Sequence, residues 1–213
     1  MIKIAHIENG FTDKFGIPRQ SGRVENLSRI VFDGEFRNAD AIRKIEGFSH
    51  LWIIFGFSKA EGKYSLTVRP PRLGGNERVG VFASRSPFRP NNLGLSCVKL
   101  VGIEDGCLIV SGADILDGTP VYDIKPYLPF TDSQPSATAG YAGEFVDYKL
   151  TVLGTELLNG VREDIKNDII NCLSEDPRPS YQCDSERVYA MDYSGVNVKF
   201  KVDGKTLIII QVQ

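Results

Sequence analysis

Histidine and cysteine are scarce in this chain of 213 residues, and their scarcity closes several routes at once. Two histidines, His6 and His50, and four cysteines with no Cys-x-x-Cys pair leave neither a zinc-ligand spacing nor a dithiol motif. No His-Glu-x-x-His stands in their place, so no metal is expected. No run of 18 apolar residues occurs, so no membrane-spanning helix is expected. The opening MIKIAHIENG lacks the apolar stretch of a secretory signal, and a reducing, cytoplasmic location is the expectation. Leu73-Gly74-Gly75-Asn76 does not sit between a strand and a long helix, which argues against a dinucleotide fingerprint. A phosphate-binding lysine–serine pair is missing too. The formal net charge of −2 excludes a globally basic nucleic-acid protein and confines any such contact to a local patch.

One segment has the composition of such a patch. Between Thr67 and Leu95 stand five arginines (Arg69, Arg72, Arg78, Arg85, Arg89), one acid, Glu77, and no lysine. Arginine suits flat bidentate contact with phosphate or carboxylate and stacks on bases. The interleaved prolines and glycines hold loop shapes that a helix or strand does not adopt. Within Ser84-Arg85-Ser86-Pro87-Phe88-Arg89-Pro90-Asn91 the prolines favour an extended loop, from whose two arms Arg85 and Arg89 can converge on one ligand. A solvated loop with scattered ion pairs is the alternative.

The rest of the chain reads as short strands. Ile2–Ile7, Asn26–Phe32, Ser96–Ile103, Cys107–Ala113 and Asp123-Ile124 are strand candidates, and Asp40–Glu46 a short helix. The apolar run Leu51–Phe57 suits a strand buried on both faces, with Trp52 in the core. Many short strands and regular turn signals predict a mainly β fold, a barrel or sandwich, rather than a doubly wound α/β sheet. Ser133–Gly143 reads as a linker. Beyond it, Phe145–Val152 is a strand candidate and Glu156–Leu173 has helical spacing, stopped by Pro177 and Pro179. Three further strands, Val188–Met191, Val196–Val202 and Thr206–Val212, follow, with Asp203-Gly204 as a hairpin turn. The expected division is a β-barrel domain over residues 1–140 and a small α+β domain over 141–213.

Three more segments are candidate site elements. Asp117-Gly118-Thr119-Pro120 is a tight turn whose side chains bond their own backbone; it either shapes the loop alone or also offers main-chain groups to a base. Pro18-Arg19-Gln20 is a stiffened polar loop. Asp176-Pro177-Arg178-Pro179-Ser180-Tyr181 sets an arginine and an aromatic on a rigid loop, the pairing that holds single-stranded RNA, or is simply a helix stop. His50 is either a hydrogen-bonded core residue or a catalyst.

Together FGIPRQ, FSHLWIIFGF, TVRPPRLGGNERVGVFASRSPFRPN, GLS, DGTPVYDIKPYLP and DPRPSY resemble the TsaA-like (TrmO) family of tRNA methyltransferases, from residue 4 to the end. The resemblance implies a non-Rossmann β-barrel with a small C-terminal domain, a homodimer, and methyl transfer from S-adenosylmethionine to N6 of threonylcarbamoyladenosine beside a tRNA anticodon. Cofactor contacts would fall on Pro18, Arg19, Gln20, Ser58, Lys59, Arg85, Leu95, Asp117, Gly118, Thr119 and Pro120. Family members commonly have His-Gln where this chain has Ser58-Lys59, so backbone contact is expected there. They often read RPNPIG where this chain reads Arg89-Pro90-Asn91-Asn92-Leu93-Gly94, and Asn92 is expected to loosen that loop.

The chemistry needs positioning and help in losing a proton, because the carbonyl on N6 both acidifies the N–H and withdraws its lone pair. Arg69, Arg72 and Arg89 are candidates for the threonyl carboxylate and the tRNA phosphates. Arg178 and Tyr181 are candidates to close over the anticodon loop. No clear base emerges; Asp123, His50 and the substrate's own carboxylate stay open. A non-catalytic RNA-binding barrel and a methyltransferase for a small molecule are the alternatives, the second favoured by the net charge.

Overall fold

A computed structural model describes residues 1–213 apart from Glu61, Lys63, 74–76, 179–181, Cys183 and the side chain of Arg72. In chain order the first part carries β1 (Ala5–Glu8), β2 (Leu27–Phe32), β3 (His50–Gly56), β4 (Thr67–Val68), β5 (Val79–Gly80), β6 (Leu93–Glu104), β7 (Cys107–Ser111), β8 (Pro120–Pro126) and the one-turn helix α1 (Pro129–Asp132). β1, β2, β7, β6, β3 and β8 close into a barrel, antiparallel at each pairing. β4 and β5 form a separate ribbon within the arginine segment.

Alternation explains the closure. β3 buries Leu51, Ile53 and Phe55 and leaves Trp52 and Ile54 half-buried, so a continuous apolar run belongs to a strand with one face inside the barrel. The expectation of burial on both faces is corrected, as is the core placement of Trp52. Ile7, Ile30, Val98, Leu108, Val110 and Val121 supply the same interior from the other strands. The β3–β8 register slips between Ile54 and Phe55, leaving Tyr122 as the extra residue of a bulge. A Cβ on Gly56 would stand 2.7 Å from the Tyr122 ring, so the bulge requires glycine there.

The second part holds β9 (Thr151–Leu153), α2 (Glu163–Ser174), β10 (Tyr189–Tyr193), β11 (Val196–Asp203) and β12 (Thr206–Val212). Its sheet runs β10-β11-β12-β9, with β9 parallel to β12. Two expectations shorten. The strand foreseen over Phe145–Val152 is confined to Thr151–Leu153, and the helix starts at Glu163 after a 3₁₀ turn at Thr155–Leu158. Asp40–Glu46 likewise forms 3₁₀ turns rather than a helix.

The core of the second part is not made by that part alone. Phe11 and Val24 are buried in it beside Ile169, Leu173, Met191, Tyr193 and Phe200, with Phe15 and Ile17 packed against it. Burying one such side chain contributes about 1.5–3 kcal/mol. The loop between β1 and β2, which carries Pro18-Arg19-Gln20, is therefore anchored in the C-terminal core.

Candidate active site

A cavity of about 530 Å³ opens where β3 ends and β6 begins. Register puts the two together: Ile53 pairs Ser96, Ile54 pairs Leu95 and Phe55 pairs Gly94. Its aromatic walls are Trp52, Phe55, Phe57 and Phe88. The indole of Trp52 donates to Asp132 Oδ2 at 2.9 Å and lies 5.7 Å from the Tyr127 ring. That volume is in the range of small-molecule sites, and a mostly apolar lining with a few polar groups is the usual composition.

Of the expected cofactor contacts, Pro18, Arg19, Gln20, Ser58, Lys59, Arg85, Leu95 and Thr119 line this cavity. Their segments are far apart in sequence. The loop of Arg85 reaches the loop of Gln20 directly, the guanidinium donating to Gln20 Oε1 at 2.5 Å. Asp117, Gly118 and Pro120 are not in the lining. Asp117 Oδ1 accepts from the Asn9 amide at 2.9 Å, and the Gly118 amide donates to the Ile7 carbonyl at 2.8 Å. Asn9 Nδ2 holds the Ile115 carbonyl at 2.8 Å. These three bonds clamp the turn to the end of β1, so Asp117 and Gly118 shape it while Thr119 faces the cavity.

The arginines divide. Arg89 lines the cavity and also ties its own loop, with Nη1 donating to the carbonyls of Ser84 and Val81 at 2.7 and 3.0 Å. Arg78 closes the β4–β5 ribbon by bonding Thr67 Oγ1 at 2.8 Å. Arg69 is exposed and outside the lining. The side chain of Arg72, and Tyr181, lie outside the described residues. Asn92 sits at φ +45°, a left-handed backbone that asparagine tolerates and proline cannot enter. Its Nδ2 donates to the Pro87 carbonyl at 2.8 Å. Asn92 therefore ties the loop, contrary to the expectation that it loosens it.

Arg178 is also corrected. It is 8% exposed, and its Nε and Nη2 lie 3.0 and 3.2 Å from the two carboxylate oxygens of Asp176. Tyr148 donates to the same carboxylate at 3.0 Å. A guanidinium buried in this pairing is not presented to an anticodon loop. It works instead on the neighbouring loop, since the Arg178 carbonyl accepts from Arg19 Nη2 at 2.7 Å. Arg23 adds an ion pair with Glu175 at 3.0 Å.

Neither proposed base reaches the cavity. His50 is held by Ser49 Oγ at 3.0 Å and packs on Tyr127, and Asp123 pairs with Lys125 at 2.7 Å. The carboxylate that does line it is Asp114, half-buried and bonded by Ser96 Oγ. Desolvation pushes its pKa up, with the Ser96 bond and the nearby Arg85 charge pulling the other way. Sequence reading missed it. A lone acid within the apolar stretch Ala113-Asp114-Ile115-Leu116 was the available signal.

Fold and cavity thus define a closed six-stranded barrel with a ligand-sized site at its rim, joined to a small α+β unit. The model of the tRNA-methyltransferase O N-terminal domain matches residues 6–133, and that of the TrmO C-terminal domain matches 155–213. The chain belongs to the tRNA-methyltransferase O family. It is 41% identical to the tRNA (adenine(37)-N6)-methyltransferase of Escherichia coli strain K12, across 94% of this chain and 92% of that protein. A Pseudomonas aeruginosa protein described as a putative S-adenosylmethionine-dependent methyltransferase RcsF is 42% identical, across 84% of this chain and 81% of its own length. A crystal structure of TrmO from Pseudomonas aeruginosa superposes with a TM-score of 0.79 at 30% identity, covering 99% of this chain and 97% of that one.

Proposed function

We propose that this chain transfers a methyl group from S-adenosylmethionine to N6 of adenosine 37 in tRNA, acting on the threonylcarbamoylated base. The observation that carries the reading is the cavity, which gathers Arg19, Gln20, Ser58, Lys59, Arg85, Leu95 and Thr119 from five separate stretches of sequence. Its size suits a nucleoside cofactor, and its aromatic walls suit a flat base. When bound, S-adenosylmethionine supplies an activated methyl group on a sulfonium.

The chain's own residues do the rest. The Arg85–Gln20 bond joins two loops across the cavity mouth and holds the reactants in register. Trp52 and Phe88 offer ring faces to a base. Arg89 keeps donor capacity beyond its two carbonyl contacts and, with the exposed Arg69 and with Arg72, is assigned to the threonyl carboxylate and the RNA phosphates. The reading carries with it a cytoplasmic homodimer, and a division near residue 140 across which Phe11 and Val24 of the first part enter the core of the second.

Incubation with S-adenosylmethionine and tRNA, followed by mass spectrometry of the nucleosides, tests it. Threonylcarbamoylated tRNA is expected to gain one methyl on that nucleoside. Unmodified tRNA is expected to react at least about 100-fold less efficiently, because the missing carboxylate leaves its arginine partner unpaired. Equal methylation of the two tRNAs removes the carboxylate from the argument, and no product from either overturns the reading.

A further inference from the structure

We propose that Asp114 is the catalytic proton acceptor, taking the N6 proton of the modified adenine as the methyl group arrives. This rests on the reading of the site given above. Methyl transfer to N6 forms one nitrogen–carbon bond and breaks the carbon–sulfur bond, whose electron pair goes to sulfur. The nitrogen must then shed its proton, and the carbonyl on N6 makes that nitrogen a poor nucleophile until the proton is leaving.

Among the described residues lining the cavity, Asp114 is the carboxylate; the other charged groups there are Lys14, Arg19, Lys59, Arg85 and Arg89, all cations. Cations at neutral pH offer no lone pair to a proton. His50 and Asp123 stand outside the cavity, each engaged with a neighbour. His6 is held by Asp33 at 3.1 Å and lines no part of it. Asp114 is fixed by the Ser96 hydroxyl, itself 1% exposed on β6, and two backbone bonds, from the Gly22 amide to the Gly112 carbonyl and from the Gly112 amide to the Asn26 carbonyl, hold the loop behind it. Burial raises its basicity, and that is the direction a base for a weakly acidic N–H requires. The groups facing it are Ser96 from β6, Arg85 from the arginine segment and Ser21 from the β1–β2 loop.

Asp114→Asn and Ser96→Ala test this with three measurements: single-turnover rate against pH, S-adenosylmethionine affinity by calorimetry, and thermal unfolding. For the wild-type protein the rate is expected to fall as pH drops through a limb above the ordinary carboxylate range. Asp114→Asn is expected to lose at least about 100-fold in rate together with that limb, while its cofactor affinity stays within about threefold. Ser96→Ala removes the bond that fixes Asp114 and holds its pKa down, so its limb is expected to move to higher pH, and an unmoved limb overturns the proposal. That second variant decides the matter if the first does not fold. An Asp114→Asn enzyme with wild-type rate and limb overturns the proposal. So does a loss of cofactor affinity as large as the loss of rate, which makes Asp114 a ligand to the cofactor. A wild-type protein that methylates neither tRNA overturns the function reading and this inference with it, whereas wild-type product with an unaffected variant overturns this inference alone.

Discussion

The guanidinium of Arg19 donates to the backbone carbonyl of Arg178 at 2.7 Å, across 159 positions of sequence. One residue lines the cavity of the barrel; the other sits in a buried ion pair with Asp176, on a backbone turn where Asp176 has φ +53°. The C-terminal unit thereby holds the shape of a loop in the candidate site. Phe11 and Val24 do the same by burial in its core.

Removing one partner of that pair leaves the other charged and unpaired in a dry setting, which costs about 3–5 kcal/mol. Arg178→Ala is expected to lower stability by that order in chemical denaturation. It is also expected to weaken S-adenosylmethionine binding although Arg178 is outside the cavity. Unchanged cofactor affinity in the folded fraction would show that the two units are independent.

Arg85 is exposed and contributes no core packing. Arg85→Ala is expected to reduce methyl transfer by more than about 100-fold while the melting temperature moves by less than about 2 °C. Wild-type turnover in that variant removes Arg85 from the site.

Gly94 faces Phe55 across the β3–β6 pairing, and a Cβ there would lie 2.2 Å from the ring. Phe55 is buried and cannot swing clear without disturbing its 5.0 Å contact with Phe57. Gly94→Ala is expected to cost about 1–3 kcal/mol and to narrow the cavity, read together as a lower melting temperature and weaker cofactor binding.

Asp168 tests the C-terminal core by pH. It accepts from Tyr193 at 2.6 Å, yet burial raises its pKa above the ordinary 3.8, with the Tyr193 bond opposing in part. The folded state then keeps a proton that the unfolded chain has already released, so this group's contribution falls as pH rises from 3.8 through the raised value. Asp168→Asn is expected to melt above the wild type at neutral pH, with the gap closing below about pH 4. A gap that persists in acid would point to packing rather than charge.

Much of this was legible in local pattern. The alternation in β1 and the turn residues between the later apolar segments announced strands, and Asp203-Gly204 announced its hairpin. Both are matters of period and backbone preference, which neighbouring residues settle among themselves. The arginine–proline–glycine segment marked a candidate site by its composition, which suits no core, and Arg85 and Arg89 from it line the cavity. Less legible was β3, where an unbroken apolar run hid a one-sided strand, because Trp52 spends its outer face on the cavity.

What only the tertiary structure decided is the fate of single polar groups. Asp114 stands beside apolar residues and Arg178 beside prolines, and neither setting foretells its fate. One becomes the carboxylate of the cavity and the other a buried strut under Arg19. Whether a charge is buried, paired or turned toward a ligand depends on what distant segments pack against it: Ser96 and Arg85 for the first, Asp176 and Arg19 for the second. Desolvation and pairing are properties of that assembled environment, not of the residues next in line.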